Sequence, residues 1–154
     1  MKISRKISAE EFYELRASVE WKNVLVSELS IALDNSMYVI GVYENDSLIA
    51  MGRMVGDKVF KCLLSDIIVR PEYQNKGYGK IVVTKLLKIA QDDMQTGQKM
   101  CIEAAPTNGN IPFYVKCGMK YNPEEQEGVY IWLKKWKELL KWLRLLLKKI
   151  KIDR

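Results

Sequence analysis

Histidine is absent from all 154 residues. That removes the commonest general base and the commonest metal ligand, and with them Ser-His-Asp, Cys-His and zinc-protease chemistry. No metal site is expected. Cysteine is scarce, and Cys62, Cys101 and Cys117 form an odd set without CxxC spacing. This argues against a disulfide framework and for reduced thiols in a cytoplasmic protein. Long apolar runs are missing too. Leu145-Leu146-Leu147 is the longest near the C-terminus, against the ~20 residues of a membrane span. The opening Met1-Lys2-Ile3-Ser4-Arg5-Lys6 alternates charged and apolar residues and lacks the hydrophobic segment of a secretory signal, which fits the same cytoplasmic expectation.

What is present is a chain 48% hydrophobic and 29% charged. It is long enough for one domain that buries roughly 70% of its unfolded surface without staples. The formal charge of +6 is unevenly placed. Residues 134–154 hold nine basic residues against Glu138 and Asp153, leaving sixteen basic and seventeen acidic residues in the first 133. The body is therefore near neutral, and the tail carries the excess.

The periodicity predicts a mixed order of elements. Lys2–Ile7 reads as a strand. Ser8 with Glu11 is a capping box opening a helix with Phe12, Leu15 and Val19 on one face. A second helix is expected over 23–33. Met37–Tyr43 and Leu48–Val55 form a hairpin about the polar turn Glu44–Ser47. Lys61–Val69 is a third strand, ended by Arg70-Pro71. Gly79–Met94 carries a helical stripe. A strand over Met100–Ala104, a helix over Ile111–Lys116 and a final strand over 128–133 complete a βααβββ–αβ–αβ layout.

The stretch that carries chemistry is Asp66-Ile67-Ile68-Val69-Arg70-Pro71-Glu72-Tyr73-Gln74-Asn75-Lys76-Gly77-Tyr78-Gly79-Lys80. A strand enters a turn with two glycines one residue apart, and an amphipathic helix follows. Such a turn gathers backbone N–H groups at the positive end of the helix, where an anion such as phosphate binds. It is neither a P-loop, which needs GxxxxGK[ST], nor a dinucleotide fingerprint, because Val82 stands three places after Gly79. The alternative reading is a glycine turn that only packs a helix on a sheet.

Gln74-Asn75-Lys76-Gly77-Tyr78-Gly79 resembles the Q/R-x-x-G-x-G/A signature of the GNAT superfamily of acyl-CoA N-acyltransferases. Phe113-Tyr114-Val115-Lys116-Cys117-Gly118-Met119 is similar to a second segment of that superfamily, with Cys117 and Met119 as small apolar departures. The resemblance spans 1–133. It implies an α/β (α+β) fold with a mixed, mostly antiparallel central sheet flanked by helices, and the transfer of an acetyl group from acetyl-CoA to a primary amine of a small molecule. A non-catalytic acyl-CoA-binding module and a protein lysine or N-terminal acetyltransferase are the rival readings.

The resemblance also assigns residues. The pyrophosphate of acetyl-CoA is expected at Gln74, Asn75, Lys76, Gly77, Tyr78, Gly79 and Lys80, and the pantetheine arm beside Ile67, Ile68 and Val69. Lys76, Lys80 or Lys85 are candidates for the CoA phosphates. Tyr114 matches the tyrosine that protonates the departing thiolate, a role open to a phenol of pKa ~10. With no histidine, the base is sought among carboxylates. Asp66, which with Ser65 interrupts an apolar strand, comes first, and Glu103 second. The alternative for Asp66 is a strand-end residue bonded to a turn. Glu20, Trp21 and Tyr38 are candidates for the acceptor pocket. Cys101 and Cys117 read as packing residues.

Residues 134–154 read as an appended basic amphipathic helix. Trp136, Leu139, Leu140, Leu143, Leu146, Leu147 and Ile150 make a helical stripe, with Lys137, Lys141, Arg144 and Lys148 on the other side. Three occupants of the stripe stay open: this domain or a second subunit in a homodimer, an anionic membrane surface, or another macromolecule. Nucleic acid is disfavoured, since the body lacks a basic face with interleaved aromatics.

Overall fold

The computed structural model describes residues 1–22, 24–107, 109–124 and 128–135. The expected tail helix and its stripe from Trp136 onward lie outside the described residues. The chain runs β1 (Lys2–Ser4), α1 (Ala9–Ser18), α2 (Val26–Asp34), β2 (Tyr38–Glu44), β3 (Ser47–Gly56), β4 (Lys61–Val69), a 3-10 turn (Pro71–Tyr73), α3 (Tyr78–Asp93), β5 (Lys99–Ala104), α4 (Ile111–Lys116), β6 (Lys120–Tyr121) and β7 (Val129–Lys134). No described helix is long and apolar enough to cross a membrane.

The strands form one sheet in the order β1-β2-β3-β4-β5-β7-β6. Every pairing is antiparallel except β4 with β5. The α/β class with a mostly antiparallel sheet is thus as expected, as is the α1 capping box. The Ser8 hydroxyl accepts from Glu11 N at 3.1 Å, and Ser8 N donates to the Glu11 carboxylate at 2.8 Å. The two-residue edge strand β6 falls where the sequence is polar and gives no period to read.

The two sheet faces are covered unequally. On one, α3 packs its apolar stripe of Val82, Val83, Leu86, Leu87 and Ala90 against Ile40, Met54, Leu64 and Ile102. On the other, α1 and α2 bring Phe12, Leu15 and Leu29 onto Leu48, Met51 and Ile68. Burying such side chains is worth about 1.5–3 kcal/mol each, so the two clusters fix how β4 sits between the helices.

Candidate active site

β4 and β5 pair only over Lys61–Cys101, Cys62–Ile102 and Leu63–Glu103. β4 then continues to Val69 while β5 ends at Ala104. From Leu64 onward β4 is paired on its β3 side only. A cleft of about 260 Å³ opens at this divergence, lined by Trp21, Leu63, Leu64, Ser65, Asp66, Ile67, Ala105, Thr107, Asn110 and Tyr114.

The β3–β4 ladder slips at this point. Arg53 pairs with Ser65 and Met51 with Ile68, so two steps along β3 meet three along β4. The extra residue makes a bulge, and Asp66 takes it up with φ +49°. The slip changes which way the side chains go. Leu64, Ile67 and Val69 join the α3-side core, and Ile68 joins the α1-side cluster. Without the extra residue, strict alternation would turn Asp66 into the apolar core. Gly52 stands opposite, where a Cβ would come within 2.5 Å of Ile67 Cδ1 and 2.6 Å of Val82 Cγ1. Only glycine leaves the room that the displaced Ile67 side chain takes.

Asp66 is held firmly. Arg16 Nη1 donates to its Oδ1 at 2.8 Å, Arg53 Nε donates to its Oδ2, and Ser65 Oγ donates to the same oxygen at 2.9 Å. Its side chain is only 9% exposed. Each carboxylate oxygen therefore already accepts at least one hydrogen bond. Glu103 stands elsewhere. It pairs with Lys61 at 3.0 Å on a half-exposed part of the sheet and does not line the cleft that Asp66 and Tyr114 share.

The glycine turn follows the exit of β4. Gln74 folds back, and its Nε2 donates to Val69 O at 3.0 Å. Asn75 and Gly77 both have left-handed backbones, at φ 59° and 90°. Gly77 is the N-cap of α3, and the first helical bond runs from Ile81 N to Gly77 O. The N–H groups of Tyr78, Gly79 and Lys80 thus have no partner inside the helix. Nothing lies within 4 Å of the place a Cβ on Gly77 would occupy. Lys76 sits over the Tyr73 ring at 5.4 Å, and Lys80 is exposed.

Tyr114 reaches the cleft from α4, where the Phe113 ring packs against it edge-on at 5.0 Å. Burial pushes its phenol above the usual tyrosine value, with Cys117 adding to the shift. A phenol so placed keeps its proton at neutral pH and is able to donate it. Trp21 lines the cleft, whereas Tyr38 does not. The Tyr38 phenol is pushed up to about 12 by burial and by a hydrogen bond with Asp93. Glu20 is exposed, in a left-handed turn after α1. Cys62, Cys101 and Cys117 are buried, and burial raises each thiol. They behave as packing groups. Among the described residues no cluster fit to hold a metal occurs.

Arg16 and Arg53 escaped the sequence reading, because nothing in their spacing links residues 50 and 13 positions from Asp66. Thr107 and Asn110 escaped it as ordinary loop polar residues. The family model of the acetyltransferase (GNAT) family matches residues 5–119, from just after β1 to the residue before β6. The chain belongs to the GNAT family. An uncharacterized N-acetyltransferase, ycf52-like, from Prochlorococcus marinus is 30% identical over 124 residues, covering 78% of this chain and 67% of that protein. Histone acetyltransferase TAP1 from Glycine max is 28% identical over 135 residues, covering 78% of this chain and 56% of that protein. Among solved structures, the probable acetyltransferase SA2161 from Staphylococcus aureus superposes with a TM-score of 0.71 at 22% identity, covering 84% of this chain and 97% of that one. As a GNAT member the chain is an acyltransferase.

Proposed function

We propose that this GNAT protein moves the acetyl group of acetyl-CoA onto a primary amine of a small molecule in one direct step. The observation that carries the reading is the free edge of β4 at Ile67–Val69, which joins the glycine turn to a cleft walled by Tyr114.

The residues fit the donor. Two left-handed residues and three helix-terminal amides suit a pyrophosphate at Asn75–Lys80. Lys76 and Lys80 stand at the rim of that turn and add positive charge. Arg70 N donates to Ile49 O, so alternation turns the peptide groups of Val69 and Ile67 toward the free edge, where an extended pantetheine arm would lie as an added strand. Gln74 already occupies the Val69 carbonyl, which leaves the amide protons as the main partners.

In the reaction the neutral amine attacks the thioester carbonyl, the C–S bond breaks, and the sulfur leaves with its electron pair. Tyr114 Oη gives its proton to that sulfur and is reprotonated from solvent. The nitrogen loses one proton, which passes through water. The protein supplies positioning, an oxyanion partner from the β4 backbone, and the acid. The cleft of about 260 Å³ lies just below the usual range of about 300–1,000 Å³ for ligand pockets, which supports a compact acceptor. The likeness to a protein called a histone acetyltransferase supports a second reading, acetylation of a protein amine.

The test is calorimetry with acetyl-CoA, followed by thiol-release assays on polyamines, amino sugars, amino acids, a lysine peptide and a peptide N-terminus. Micromolar binding with fastest turnover on a small amine supports the proposal. Fastest turnover on a peptide favours the second reading. Absence of acetyl-CoA binding overturns both.

A further inference from the structure

We propose that Asp66 is a positioning residue rather than the base, and that the Arg16–Asp66–Arg53 ion triad holds the β4 bulge in its productive shape. This rests on the acetyl-transfer reading of the cleft.

Three elements meet at the bulge. Arg16 comes from α1, Arg53 from β3, and Asp66 is the bulge residue itself. Each arginine is tied a second time. Arg53 Nη1 donates to Ala32 O and to Ser36 Oγ, both at 3.3 Å, which fastens β3 to the end of α2. Arg16 Nη2 donates to Lys22 O at 3.0 Å, and its guanidinium lies 5.3 Å from the Trp21 ring and 5.7 Å from the Phe12 ring. The same guanidinium therefore grips the bulge and supports Trp21, a wall of the cleft.

A left-handed aspartate in a strand is unfavourable by itself. Both carboxylate oxygens are engaged, and the residues carrying them are largely buried. Arg16 also leaves Nε buried with no partner among the described residues, a desolvation cost. Two such costs at one point mark a geometry held in place by its neighbours. The amide of Ile67 and the edge that would meet the thioester follow directly from that geometry. A carboxylate whose two oxygens bind two guanidiniums and a hydroxyl is fixed in place by them, which suits an anchor.

The experiment compares Asp66→Asn, Arg16→Met, Arg53→Met and the double variant Arg16→Met/Asp66→Asn. It uses the full chain, acetyl-CoA and the amine acetylated fastest in the panel above. Asparagine tolerates the left-handed region and keeps one acceptor oxygen. The expected result is a fall in kcat of about tenfold in each single variant, with KM for acetyl-CoA within about twofold. The acidic limb of the pH–rate profile should keep its midpoint, and the double variant should be no worse than the poorer single one. Loss of turnover by a thousandfold or more in Asp66→Asn alone, or a displaced acidic limb, would make Asp66 the base and overturn the proposal. Full activity in all four would overturn it as well. If Asp66→Asn fails to fold by circular dichroism, Arg16→Lys and Arg53→Lys carry the same comparison, since lysine keeps the charge but not the forked contact. Acetyl-CoA binding to the wild type separates the outcomes: without it the acetyl-transfer reading has failed, whereas binding with unaffected variants condemns only the triad.

Discussion

Replacing Tyr114 by Phe removes one oxygen from the wall of the cleft and leaves the ring on its Phe113 neighbour. The packing is kept, so the thermal midpoint should move by no more than a few degrees. The catalytic effect is separable. A positioned acid contributes about 10²–10⁴-fold. Burial raises this phenol further above its ordinary value, which secures its proton but weakens the drive to deliver it to a thiolate. That places the expected loss at the low end, roughly 100-fold in kcat, or about 2.7 kcal/mol of barrier. The phosphate end of the site is untouched, so acetyl-CoA affinity should stay within about twofold. The raised phenol also fixes a sign. Because the acid form is active, the wild type should not lose turnover through Tyr114 between pH 7 and its ordinary value of 10. Thiol release monitored against pH, beside calorimetry with acetyl-CoA, checks all three points. A kcat within twofold of wild type would refute the assignment.

Gly77→Val should raise the acetyl-CoA dissociation constant at least tenfold by calorimetry, because it puts a branched side chain into the open space before the turn at φ 90°. It should also cost about 1–2 kcal/mol of stability for a left-handed β-branched residue. Ser8→Ala breaks the α1 capping box and should lower stability by about 1 kcal/mol in urea unfolding, with acetyl-CoA affinity unchanged. The Tyr43 phenol is raised by burial and by its hydrogen bond with Glu11, and Tyr38 is raised to about 12. A raised folded-state value gives stability that is complete below pH 10 and is lost as the pH climbs through the folded value. Thermal midpoints should therefore drop above pH 10, and Tyr43→Phe should flatten that drop. A midpoint curve identical to wild type above pH 10 would contradict it.

Local signals are legible in the sequence. Lys61–Val69 and Ile111–Lys116 have the same bounds in the structure, because an apolar run stopped by Arg70-Pro71 and a helix stopped at Cys117-Gly118 are punctuated by their own residues. The glycine turn was legible for the same reason. Partnerships at a distance were not. Asp66 stood out as a carboxylate in an apolar strand, yet its arginines sit on α1 and β3, and only the folded sheet brings them together. The side taken by Glu103 was open in the sequence. It became definite once Met100, Ile102 and Ala104 turned to the α3 core and Glu103 turned to Lys61. β6 is an edge strand of two residues whose existence depends on its neighbour β7.

The short junction between β4 and β5 has a mechanical meaning. Only three residue pairs join the strands β1–β4 to β5–β7, so across this seam the fold is held mainly by the core that α3 packs over both halves. A donor molecule laid along the free edge of β4 would act as a splint across the two, bonded to one half and packed on the other. Occupancy should add RT ln(1 + [L]/Kd) to the stability, and the slowing of amide exchange that comes with it should be concentrated at Leu64–Val69 rather than spread over the fold.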